Sequence, residues 1–128
     1  MINQERLVNA FCELVKIDSP SDEEEDVAKH LTERLEDLGF HVARDAHGNL
    51  IASEDGANPL MLSAHMDTVE PGRGIKPQVD GEIIRSDGTT ILGGDCKAGV
   101  AAIMEALESA KEDASPRRPV QVVFTRGE

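Results

Sequence analysis

The sequence predicts an α/β fold in three layers, with helices on both faces of a mixed β-sheet. Two observations carry this. Segments with helical apolar spacing, centred on residues 22–38 and 98–112, alternate with short strand-like runs. Two of those runs, 40–44 and 50–53, flank a His47-Gly48-Asn49 turn, so at least part of the sheet is antiparallel. A chain of 128 residues buries roughly 65–70% of its unfolded surface, enough for one core without disulfides or metal staples.

Residues 2–17 place Leu7, Val8, Phe11, Leu14 and Val15 on one helical face and leave Gln4, Glu5, Glu13 and Lys16 for water. Asp18-Ser19-Pro20 ends that helix. Ser21 followed three residues later by Glu24 reads as a capping box for a second helix through Val27, Leu31, Leu35 and Leu38, stopped by Gly39. The acids from Asp22 to Asp26 complement the dipole at its start. Being contiguous and without a central glycine, they lack the alternation of a calcium loop. After the hairpin and a polar loop at 54–59, the run at 60–64 reads as a buried strand that delivers His65-Met66-Asp67 at its carboxyl end. Residues 71–77 are irregular, and 79–84 suggest a tight turn into a strand. A glycine-rich stretch at 91–99 opens a helix over 98–112 with Val100, Ile103, Met104 and Leu107 on one face, and Lys97 reads as a surface charge. Pro116 and Pro119 close the next loop. A last strand, 120–125, leads into Arg126-Gly127-Glu128.

Thirteen Lys and Arg stand against 25 Asp and Glu, a formal charge of −12. That balance speaks against a nucleic-acid partner, which requires clustered basic residues. No run approaches the ~20 apolar residues of a membrane span, and the first residues lack a basic and an apolar leader region, so the expected setting is the cytoplasm with no membrane partner. Cys12 and Cys96 give no disulfide framework and are expected as thiols.

His65 and Asp67 lie two apart, on one side of an extended chain, so Asp67 can take a ring N–H while the other nitrogen faces a metal. Alone, the pair is a weak signal that fits a surface histidine and a loop-capping acid better than a metal site. Asp95 sits among Gly93, Gly94 and Gly99, where a helix N-terminal acid is the plain alternative. A phosphate loop fails there, because Val100 stands where lysine is needed. Glu128 follows an apolar β-branched run, again beyond the carboxyl end of a strand. Such positions are where open α/β sheets collect their sites. Four groups so placed on three segments suit a divalent cation held by imidazole nitrogen and carboxylate oxygen, with a spare carboxylate to carry a proton.

Three blocks in order, SAHMDTVEPGRGIKP, SDGTTILGGDCKAGVAAIMEAL and VQVVFTRGE, resemble the co-catalytic zinc exopeptidases. That group includes peptidase T, the carboxypeptidase G-type enzymes and the acetylornithine and succinyl-diaminopimelate deacylases, and the middle block is most like the peptidase T branch. The resemblance implies that His65 binds one zinc, Asp67 orients His65, Asp95 bridges two zincs, and Glu128 is the general base toward water. It implies zinc, two ions per complete site, with cobalt or manganese as substitutes, and a cis peptide between Asp95 and Cys96, with Cys96 as a small buried filler. The implied reaction is removal of a terminal residue from a small peptide, a tripeptide first, with dipeptidase or deacylase activity as the alternative. Residues 1–128 would then be the N-terminal part of the catalytic domain. The second Glu of the family pair, the later ligands, the remaining strands and the lid domain that makes homodimer contacts would lie outside them. A sheet ending at 120–125 would leave an unpaired edge through which the isolated chain associates. Two further readings compete: a non-catalytic module holding one cation through His65 and Asp95, and an acidic partner-binding protein using residues 22–26.

Overall fold

Alternation decides which way the central strand faces. Along Val120–Thr125 every second residue, Val120, Val122 and Phe124, is buried, and the partners opposite them in the neighbouring strand, Leu50 and Ala52, are buried too. A computed structural model describes all residues from 1 to 128, in the order α1 Gln4–Lys16, α2 Glu25–Asp37, β1 His41–Arg44, β2 Leu50–Ser53, β3 Leu60–His65, β4 Gln78–Asp80, β5 Ile83–Arg85, α3 Gly94–Asp113 and β6 Val120–Thr125. Four strands form one sheet in the order β1-β2-β6-β3, in which β3 and β6 are parallel and the other pairs antiparallel. The α/β class and the mixed sheet are as the sequence predicts.

The core lies between one sheet face and all three helices. Leu14 and Val15 from α1, Val27, Leu31 and Leu35 from α2, and Val100, Met104 and Leu107 from α3 pack with Leu50, Val122 and Phe124 in a single cluster. Each such side chain contributes about 1.5–3 kcal/mol by leaving water. The helices are neighbours: Arg6 of α1 reaches Glu105 and Glu112 of α3, and Arg34 of α2 reaches Glu108 of α3. The chain thus supplies the sheet and one helical layer of the expected three. On the opposite face Met61 is 62% exposed and Ser63 is also exposed.

Four expectations need correction. β3 is only partly buried: as an edge strand it shows Leu60 to solvent, and on the uncovered sheet face it shows Met61. The unpaired edges are β3 and β1, and β6 is interior, paired on both sides. The capping box does not form: α2 begins at Glu25, and its N-cap residue Glu24 makes no side-chain capping bond. Lys97 is no surface charge but 1% exposed. Its Nζ donates to the carbonyls of Leu14 and Ile17 at 2.8 and 2.6 Å, at the C-terminal end of α1 where helical acceptors run short of donors. Burial pushes its ammonium down to about 8. Residues 79–84 form a hairpin, β4 with β5, turning at Gly81 with φ +62°. No helix is long and apolar enough to cross a membrane.

Candidate metal centre

Parallel pairing brings two strand ends together. His65, the last residue of β3, lies opposite Thr125, the last residue of β6, and the Met66 amide continues the ladder to the Thr125 carbonyl at 2.9 Å. The chain beyond each strand therefore emerges on one rim, with His65 and Asp67 on one side and Glu128 on the other. Asp95 reaches the same rim from the start of α3, where Asp95 and Cys96 leave helical geometry and the peptide between them is cis, as the resemblance implies. Two glycines permit this approach. Gly93 has φ +88°, and a Cβ on Gly99 would stand 2.7 Å from the Cys96 sulfur.

The other three sequence-derived site residues converge on His65. Its Nδ1 donates to Asp67 Oδ1 at 2.9 Å, its Nε2 faces Asp95 Oδ1 at 2.9 Å, and Glu128 Oε1 lies 4.0 Å from Nε2. Asp67 is buried, whereas the side chains of Asp95 and Glu128 are 88% and 78% exposed at the mouth of a cleft of about 320 Å³. Burial acts to lower the His65 imidazolium, but hydrogen bonds to Asp95 and Asp67 outweigh it and hold His65 above its ordinary value. None of the three carboxylates pairs with a lysine or arginine, so the cluster stays negative even with His65 protonated.

The donor set fits a borderline divalent cation. His65, Asp95 and Cys96 each offer a ligand atom within 4.8 Å of the others, and imidazole nitrogen, carboxylate oxygen and thiolate sulfur are all zinc donors. Cys96, expected as a buried filler, is only half-buried and stands within this cluster. Sequence reasoning missed Ser21, whose hydroxyl donates to Asp67 Oδ2 at 2.5 Å. Its only sequence signal was the Ser-x-x-Glu spacing, which points equally to a helix cap.

Comparison with known proteins bears out the resemblance to the peptidase T branch. The structure of a tripeptidase from Staphylococcus aureus superposes with a TM-score of 0.95 at 41% identity, over 100% of this chain and 38% of that one. The aminopeptidase PepT of Bacillus cereus gives 0.93 at 45% identity, over 99% and 37%. Peptidase T of Shewanella woodyi is 32% identical over 98% of this chain and 42% of its own length. The chain spans well under half the length of the relatives it matches. A sequence profile of Peptidase family M28 matches residues 48–128, the stretch that carries His65, Asp67, Asp95 and Glu128, and on that match the chain belongs to peptidase family M28.

Proposed function

We propose that the protein carrying this chain is a metal-dependent aminopeptidase that hydrolyses the terminal amide bond of small peptides, tripeptides foremost. One observation carries the reading: three carboxylates and an imidazole from three segments meet at one strand-end rim with no basic side chain to neutralise them. The names of the relatives, tripeptidase, aminopeptidase PepT and peptidase T, support the substrate class.

His65 Nε2 and Asp95 would hold the cation, zinc in the first place with cobalt or manganese as substitutes, and Asp95 would share a second ion in a complete two-zinc site. Bound ions of this kind polarise a scissile carbonyl and ease deprotonation of water at neutral pH. Asp67 holds the Nδ1 proton, which fixes the tautomer that leaves Nε2 free to ligate. Glu128, exposed and 4.0 Å from His65, would take a proton from water and return it to the departing amine. The cleft opens beside the apolar residues Val69, Ile91 and Leu92, which offer surface to a peptide side chain.

The test is zinc-dependent release of the N-terminal residue from a free tripeptide by the native protein, set against a dipeptide, an N-acetylated tripeptide and an N-acetyl amino acid. Turnover of the free tripeptide is expected. Glu128→Ala should lower kcat by about 10²–10⁴ with zinc still bound. Preferred cleavage of the dipeptide or the N-acetyl amino acid would move the reading to the dipeptidase or deacylase alternative. Absence of turnover with zinc, cobalt and manganese would leave a cation-binding module without catalysis.

A further inference from the structure

The connection between α1 and α2, residues 17–24, touches every loop that builds the site. Lys97, two residues past Asp95, donates to the Ile17 carbonyl. Ser19 Oγ donates to the Met66 carbonyl at 3.0 Å, and the Thr68 amide donates to the Ser19 carbonyl at 2.8 Å. Ser21 Oγ donates to Asp67 Oδ2. Glu24 Oε1 accepts the Gly127 amide at 3.0 Å, one residue before Glu128.

Ser21 and Glu24 have the spacing of a capping box, yet neither side chain caps α2. Both point to the site loops instead. Asp67 is buried, and each of its oxygens has a defined donor, His65 Nδ1 on one and Ser21 on the other. Removing the hydroxyl would leave a buried carboxylate oxygen unpartnered and its plane free to turn away from the imidazole. Glu24 is a carboxylate only 2% exposed. Its Oε1 has the Gly127 amide, while Oε2 has no hydrogen-bond partner, with Arg126 Nε at 3.6 Å. Burying a charge so thinly paired costs stability, and a solvent-facing cap on α2 would avoid it. What the buried arrangement secures is the turn at Gly127, φ +72°, and with it the direction in which Glu128 leaves the sheet.

We propose that Ser21 and Glu24 are positioning residues of the metal centre: Ser21 fixes Asp67 and through it the His65 imidazole, and Glu24 fixes the turn that presents Glu128. The assignment rests on the metal-centre reading above. In outline, one Ser-x-x-Glu segment sets the ligand loop and the base loop relative to each other.

Two readouts in the native protein test it: zinc affinity by competition with a chromogenic chelator, and hydrogen exchange at the Gly127 amide. Ser21→Ala should weaken zinc binding about tenfold or more, within the range that outer partners of a ligating histidine control. Ser21→Thr, which keeps the hydroxyl, should restore it to within about threefold. Glu24→Ala should leave zinc affinity unchanged, remove protection of the Gly127 amide and lower kcat about tenfold with KM unmoved. Glu24→Gln, which keeps an acceptor oxygen, should restore both. Wild-type zinc affinity in a folded Ser21→Ala, or wild-type Gly127 protection and kcat in Glu24→Ala, overturns the assignment. If Glu24→Ala does not fold, Ser21→Ala, which loses one hydroxyl, decides. A wild-type protein that binds no zinc sinks the metal reading, and Gly127 exchange in the metal-free variants then supports or overturns the brace by itself.

Discussion

Arg6 and His65 each face three carboxylates, and they hold them differently. In the seam between α1 and α3, Arg6 grips Glu105 and Glu112 with paired bonds of 2.7–2.8 Å, while Glu108, 3.8 Å from it, has a second cation in Arg34. The guanidinium is permanently charged and has donors enough for all of them. His65 has two donors, a conditional charge, and acids that outnumber it: Asp67 and Asp95 take one nitrogen each, and Glu128 is left at 4.0 Å. In the seam every carboxylate has an arginine within hydrogen-bond distance, whereas at the rim Glu128 has none and the acids share one imidazole. Similar sets of charged groups therefore serve opposite ends, one locking helices together and one open to a ligand.

Substitutions should separate the two regions most sharply. His65→Ala or Asp95→Ala is expected to weaken zinc binding about a thousandfold, roughly 4 kcal/mol, beyond the range that outer partners command. In Asp95→Ala, whose carboxylate is exposed, the melting temperature of the metal-free protein should change little. Arg6→Met should do the reverse, lowering the melting temperature by leaving the buried Glu105 carboxylate without its partner while zinc affinity stays put. Calorimetric titration and thermal unfolding on the same samples check both. A loss of zinc binding in Arg6→Met would show that seam and site are one unit.

Lys97 lies between these cases, a buried cation held only by neutral carbonyls. Its folded pKa of about 8 lies below the ordinary lysine value of 10.5, so between those values the unfolded chain binds more protons than the folded one. Stability must then rise with pH across that window. Urea unfolding at pH 7.5 and 10.5 should show wild type gaining up to roughly 3 kcal/mol relative to Lys97→Met, since each pH unit of separation is about 1.4 kcal/mol. An equal pH response in both proteins would mean that the ammonium is not what the helix end holds.

Much of this was legible in the chain. Periodicity located α1, α3, the β1–β2 hairpin and β6, strand-end position picked out His65, Asp67 and Glu128, and the glycine-rich stretch picked out Asp95. Periodicity does not say how many neighbours a strand has or whether both sheet faces are covered, which is why Leu60 and Met61 read as buried and are not. Nor does spacing name a partner. Ser21 and Glu24 fit a helix cap locally, and only the packing of residues 17–24 against the site loops gave their side chains other acceptors and donors. Lys97 reads as a surface residue until two carbonyls at the end of α1, some 80 residues earlier, are folded against it.

The subtlest difference between seam and site is the sign of their response to acid. Arg6 hydrogen bonds hold Glu105 and Glu112 below the ordinary carboxylate value. As pH falls below about 4.5, the unfolded chain takes up protons before these groups do, and the seam's contribution is lost as they finally protonate. His65 is held above 6.5 despite its burial, by Asp95 and Asp67. Just above pH 6.5 the folded state therefore keeps a proton that the unfolded state has released. In the metal-free protein the site's contribution is complete below that value and declines as pH rises through the folded pKa, with a slope under about 1.4 kcal/mol per pH unit for one proton. Zinc needs the unprotonated nitrogen, so its affinity should climb over the same interval. Unfolding free energies measured from pH 3 to 8 should thus show an acid limb that Arg6→Met flattens and a neutral limb that His65→Ala flattens. If His65→Ala leaves the neutral limb intact, the imidazole does not carry the charge that ties Asp67 to Asp95.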